Sequence, residues 1–290
     1  MEDRSTAVPP WSMAVSAMLL IQLGNGFSVS VIDQVGPGGT AWLRMCFGAV
    51  LLLVVFRPDR RALHRSDVPT LLVLGLVTGA MTTLFLFAIE RIPLGTAVAV
   101  EFLGPLTVAA LASPRRSAMV WPLLALAGVV LLTEPWEGSI DVVGVAFALG
   151  AGASWGLYNV FTQRVGDRFA GVSGLAWTIP IAALFTAPVG LPQVLGGDLV
   201  WWVLPAAAGI ALLSPVISFG LEMLALRRMT HTAFGTLLAI EPAFGVVVGL
   251  VLLAQAPAPL QILGVGLVVA AGAAAQRGGS RSTPATPEPV

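Results

Sequence analysis

Leu94-Gly95-Thr96-Ala97-Val98-Ala99-Val100-Glu101 (LGTAVAVE) returns in altered form as Phe234-Gly235-Thr236-Leu237-Leu238-Ala239-Ile240-Glu241 (FGTLLAIE). Gly, Thr, Ala and Glu coincide, and a proline follows each glutamate: Pro105 in the first copy, Pro242 in the second. The pairing extends outward. Gly39 and Ala41-Trp42 have counterparts in Gly174 and Ala176-Trp177, and Val35-Gly36 in Val165-Gly166. The offsets of 130, 135 and 140 residues rise in order, as two homologous halves with small insertions would give.

The medium around this repeat follows from composition. Apolar residues make up 57% of the 290 and charged residues 10%, against about 25% charged in a soluble domain. Too few charges exist to cover a water-facing globule. The stretches 69–89, 142–163 and 199–221 contain no charged residue, and about 20 apolar residues suffice to cross a hydrocarbon core of about 30 Å. The strict alternation of a membrane barrel is absent. The expected fold is therefore an all-α membrane protein with ten transmembrane helices, at about 12–32, 38–56, 69–89, 94–112, 118–133, 142–162, 172–190, 200–226, 233–253 and 257–275. Five spans per half is an odd number, so the second half enters the membrane from the opposite side. Such inverted repeats place a substrate near the midplane, where the halves meet. The expected organisation is a cytoplasmic N-terminal segment 1–11, repeats 12–141 and 142–275, and a disordered, Gly-, Ser-, Thr- and Pro-rich cytoplasmic tail 276–290. The first apolar run follows no basic segment and is read as a retained helix rather than a signal peptide.

Charge placement gives the orientation. All basic residues are arginine, and the net charge is zero. Arg57, Arg60, Arg61 and Arg65, then Arg115 and Arg116, Arg164 and Arg168, and Arg227 and Arg228 occupy alternate loops, with Arg4, Arg277 and Arg281 in the tails. Arg91 alone lies in an opposite loop, beside Asp33, Glu90, Glu134, Glu137, Asp141 and Asp198 on that side. The positive-inside rule then puts both termini in the cytoplasm of a multi-pass inner (plasma) membrane protein. The arginine loops suit anionic lipid. No basic stripe with interleaved aromatics is present, so nucleic acid is excluded as a partner. The single Cys46 lies in an apolar run and fills space. Oligomeric state is not legible.

Ionisable groups inside a bilayer are expensive and mark function by default. Four lie within spans: Arg44, Glu101, Glu222 and Glu241. At about 1.5 Å per residue, Arg44 and Glu101 lie about 9 and 10 Å below the outer surface, a common level where they could pair. Glu241 lies about 12 Å and Glu222 about 6 Å from the inner surface. Glu241 has no basic residue at its level, so its ionised form is costly there. With Glu222, and Glu101 next, it is the candidate for proton coupling. Arg44 and Glu101 are the candidates for a substrate's carboxylate and ammonium. The alternative is helix packing, with the glutamates bonding backbone freed by the nearby prolines. Gln22, Asn25, Trp155, Tyr158 and Asn159 lie in the related first helices of the two halves. They suit either substrate contact or interhelical hydrogen bonds and interfacial aromatics.

An enzyme lacks its parts. Gly171-Val172-Ser173-Gly174 matches a short intramembrane serine-protease motif, but the only histidines, His64 and His231, fall in cytoplasmic loops. No paired histidines, cysteine cluster or phosphate-binding glycine loop implies a cofactor or metal.

Three stretches carry a resemblance: PLGTAVAVEFLGPL (93–106), ALGAGASWGLYNVFTQRVG (148–166) and LEMLALRRMTHTAFGTLLAIEPA (221–243). They resemble the EamA type of the drug/metabolite transporter superfamily, and within it the threonine and homoserine exporters, over nearly all of 12–275. The resemblance implies a ten-helix inner-membrane exporter with cytoplasmic termini, driven by proton entry, with Glu101, Glu222 and Glu241 in shared motifs. Two positions depart from it. Similar exporters often carry a lysine where this chain has Leu23-Gly24-Asn25-Gly26-Phe27-Ser28-Val29, and a glutamate where it has Gln255. The expected function is export of small amino acids by proton antiport and alternating access. The alternative is export of aromatic amino acids, drugs or other metabolites.

Overall fold

The structure is a computed structural model that describes residues 9–58, 63–113, 116–137, 141–168, 173–229 and 231–277. Among these residues the regular structure is entirely helical. Lipid offers no hydrogen bonds, so each apolar segment must satisfy its own backbone. Eight stretches are long and apolar enough to cross a bilayer, and Pro259–Ala275 adds a shorter apolar helix. The chain is a multi-pass membrane protein.

Helix α1 (Pro10–Phe56) is one element by its bonding and two by its shape. At Gly36 the backbone takes φ 71° and ψ 167°, a left-handed value open to glycine. Asn25 and Arg44 are hydrogen-bonded at 3.0 Å, although 19 residues of straight helix would hold them about 28 Å apart. The chain therefore doubles back, with a first arm of residues 10–35 and a second of 37–56. The sequence places a break between the spans 12–32 and 38–56, marked by Gly36-Pro37-Gly38-Gly39. Gly36 alone reverses the chain, because Pro37 suits the first turn of a helix. The Gly39 N–H donates to Gln193 Oε1 at 3.0 Å, and the Asp198 N–H to the Gln34 carbonyl at 3.0 Å.

The helices that follow are α2 (Val68–Ile89), α3 (Leu94–Ala112), α4 (Val120–Thr133), α5 (Val142–Arg168) and α6 (Ser173–Gly196). Next come α7 (Val203–Ala211) and α8 (Ser218–Arg228), joined by an irregular stretch, Leu212–Ile217. Last are α9 (His231–Leu238), α10 (Glu241–Leu253) and α11 (Pro259–Arg277). The eighth expected span is thus broken at Ser214, which is extended at φ −149° and ψ 116°. The ninth, one apolar stretch Ala233–Leu253, lapses from regular helical bonding only at Ala239 and Ile240, where Ile240 keeps helical angles. α6 runs on to Gly196 through Pro180, Pro188 and Pro192. The arginines Arg4, Arg60, Arg61, Arg115 and Arg281, and the tail from 278, lie outside the described residues.

Exposure is inverted relative to a soluble protein. Leu184, Leu195, Trp201 and Val251 face outward, while Arg44, Glu101 and Glu241 are buried. The largest core centres on α3, whose Ala97, Val98, Ala99 and Val100 are fully covered. Small residues let neighbours crowd in. A Cβ on Gly104 would meet the carbonyl of Gly152, and one on Gly152 would meet the carbonyl of Glu101. α3 and α5 thus cross backbone against backbone, within one turn of a buried carboxylate. Outside the membrane, Asp141 accepts the Gly144 N–H at 2.8 Å and pairs with Arg91 at 3.3 Å. The Gly144 bond, and after it Arg91, hold this carboxyl below the usual carboxylate range.

Gly104→Ala and Gly152→Ala should each destabilise the protein by about 1–3 kcal/mol, the usual cost of overpacking. Gly266, which meets nothing within 4 Å, should tolerate Ala with no loss. Thermal unfolding of the purified protein in detergent checks this; equal melting temperatures for all three variants would contradict the crossing.

Candidate functional site

The two arms of α1 place a chain of polar side chains in the membrane interior. Gln22 and Asn25, three residues apart, share one face of the first arm. Arg44 approaches from the second arm and is 5% exposed. Its Nη1 donates to Asn25 Oδ1 at 3.0 Å, its Nε to the Ser214 carbonyl at 2.8 Å and its Nη2 to Ser214 Oγ at 2.6 Å. The extended backbone at Ser214 is what frees that carbonyl. A guanidinium without water needs such directed, charge-assisted partners, and the broken span supplies two of them from one residue.

The chain continues beyond Asn25. Asn25 Nδ2 donates to Gln22 Oε1 at 3.3 Å, and Gln22 Nε2 donates to Glu241 Oε1 at 3.1 Å. Glu241 Oε2 is buried and has no hydrogen-bond partner. Glu241 opens α10, inside the single apolar stretch Ala233–Leu253. Pro242 has no N–H, so the Leu238 carbonyl lacks its helical donor.

These residues face one cavity whose empty space, counting the part open to solvent, is about 650 Å³. Of the residues singled out in the sequence, Gln22, Asn25, Arg44, Glu101, Trp155, Tyr158, Glu222 and Glu241 line it, and Asn159 does not. Asn159 is half-buried, about 100° round α5 from Tyr158. Arg44 and Glu101 share the wall without direct contact. Among the described residues the ion pairs are Arg91–Asp141 and His64–Asp67, both outside the membrane-spanning segments. Equal depth does not fix the direction in which two side chains point, and Arg44 turns to Ser214. One guanidinium thus shares the space with three carboxylates. Apart from Thr82, the remaining wall is apolar and aromatic, including Phe85 and Phe219.

Sequence reasoning missed Ser214, Thr82, Ile21, Met81, Phe85, Phe219 and Leu238, which also line the cavity. Pro215, in the middle of an apolar span, was the available signal for Ser214, because broken helices mark transporter sites. Thr82 and the apolar residues carry no signal that separates them from lipid-facing neighbours. Among the described residues no group of three His, Cys, Asp or Glu could hold a metal ion.

Comparison with known proteins gives the family. Residues 142–274 match the EamA-like transporter family. The chain is 37% identical over 266 residues to the threonine/homoserine exporter RhtA of Escherichia coli (strain K12), covering 90% of this chain and 89% of that one. It is 36% identical over 278 residues to RhtA of Salmonella typhimurium (strain LT2), with 93% of each chain covered. A crystal structure of a protein with 19% sequence identity superposes with a TM-score of 0.63 over 91% of this chain and 96% of the other, a likeness of fold. The chain belongs to the EamA-like transporter family.

Proposed function

We propose that this protein is a secondary exporter of small amino acids, threonine and homoserine first, working by proton antiport and alternating access. The observation that carries the reading is the meeting of Arg44, Glu101, Glu222 and Glu241 on one cavity. The names of the 36–37% identical relatives suggest the substrate. A zwitterion needs a cationic contact for its carboxylate, and Arg44 keeps N–H groups beyond the three already bonded. Its ammonium needs an acidic contact, which Glu101 supplies. The hydroxyl of Thr82, on the same wall, suits a hydroxylated side chain.

The ten-span reading, with two inverted five-helix repeats, fits this site. The two arms of α1 with α2, α3 and α4 form the first half; α5, α6, α7–α8, α9–α10 and α11 form the second. Glu101 and Glu241 then come from equivalent spans of opposite orientation. Each half would rock against the other around the cavity, with both termini cytoplasmic. Glu241 would take up its proton facing the exterior and release it facing the cytoplasm. The aromatic wall of Phe85, Trp155, Tyr158 and Phe219 favours a second reading, export of aromatic amino acids.

Two measurements test the proposal. In proteoliposomes, radiolabelled threonine and homoserine should be carried against their gradient by an imposed pH difference, and Glu241→Gln should abolish that response. Phenylalanine or tryptophan carried in their place would favour the second reading, and full pH-driven accumulation by Glu241→Gln would remove this residue from the proton's route. For orientation, single cysteines at the exposed positions Asp33, Glu137 and Asp198, in a Cys46→Ala background, should react with an impermeant thiol reagent added to intact cells. A cysteine at Arg57 should be shielded, and the reverse pattern would invert the topology.

A further inference from the structure

The polar chain from Arg44 to Glu241 has a fixed direction. A guanidinium donates and never accepts. Arg44 Nη1 therefore faces the oxygen of Asn25, which leaves Asn25 Nδ2 to face the oxygen of Gln22. Gln22 must then present Nε2 to Glu241. Turning Asn25 over would set like groups together at both of its ends, and turning Gln22 over would set donor against donor at its Asn25 end. Oε1 of Glu241 is consequently a permanent acceptor, and Oε2, buried without a partner, is the oxygen left to change. Gln22 and Asn25 are 1% and 5% exposed, so these bonds are shielded from bulk solvent in this conformation.

We propose that Asn25 and Gln22, anchored by Arg44, are positioning residues that confine the transported proton to Oε2 of Glu241. The proposal rests on the reading of Glu241 as the proton carrier and adds which oxygen is loaded and what selects it. The amides do not conduct the proton; they hold the carboxyl so that Oε2 stays the free oxygen. Glu222 of α8, Glu101 of α3, Tyr158 of α5 and Arg44 also face this cavity. The relay is the part of that surrounding that discriminates between the two oxygens of one carboxyl.

Infrared difference spectra of the purified full-length chain between alkaline and acid pH test this directly. The protonated Glu241 carbonyl band is identified by its loss in Glu241→Gln. With the proton on Oε2, the carbonyl is Oε1 and accepts the Gln22 N–H. Gln22→Leu, and Gln22→Met as a second variant closer in shape, should then move the band to higher wavenumber. An unmoved band places the proton on Oε1 and overturns the proposal alone. Absence of any Glu241 band at every pH overturns both this proposal and the proton role of Glu241. In proteoliposomes the ratio of pH-driven accumulation to exchange at equal pH should fall about tenfold in both Gln22 variants, a typical size for a coupling free energy. A merely structural role would lower both rates and leave the ratio unchanged, which would also overturn the proposal.

Discussion

The burial of Arg44 is the constraint on which the interior depends. Taking a guanidinium out of water costs several kcal/mol, and only well-directed partners offset it. Those partners exist because of two irregularities far apart in sequence. The reversal at Gly36 returns the second arm of α1 alongside the first and brings Asn25 within reach. The extended residue Ser214 turns a carbonyl and a hydroxyl toward the same group. Remove the charge, and buried acceptors on two elements are left without donors, each at a cost of about 1–3 kcal/mol. Hairpin, broken span and cavity wall are therefore one arrangement around one cation.

Much of this was legible because a bilayer constrains sequence strongly. Charge-free runs of about 20 residues can do little else than cross, and ionisable residues within them stand out by their rarity. Direction around a helix axis was not legible. Arg44 and Glu101 lie at one level but do not meet, and Asn159 sits one residue past Tyr158 and misses the cavity. Ser214 gave no sign of itself, since serine is ordinary in apolar spans and Pro215 marks a break without saying which group it exposes. The lapse in helical bonding before Glu241 was visible in Pro242, which has no N–H to give the Leu238 carbonyl.

Two glutamines clarify positions that the sequence left unexplained. Gln193 accepts the N–H of Gly39 near the start of the second arm of α1, and Gln255 accepts that of Leu94 at the start of α3. The first N–H groups of a helix have no partner within it, and each side chain supplies one from a distant segment. Gln255 departs from the glutamate common in similar exporters, yet its amide is committed to the backbone of α3 and it lies outside the Arg44–Glu241 cavity. The difference bears on how α3 is fastened at its N-terminal end.

The crossing of Gly104 and Gly152 has a mechanical consequence. α3 and α5 fall in different halves of the proposed repeat, and at Gly104 and Gly152 no side chain stands between them. Interlocked side chains act as teeth, resisting both sliding and turning. Two bare backbones in contact resist approach but offer no teeth against rotation about the line joining them. If the proposed halves turned about this contact, Glu101, whose carbonyl is part of it, would lie beside the axis. Relative rotation of the halves about this point would sweep residues at the ends of the two helices through wide arcs and leave the carboxylate nearly in place.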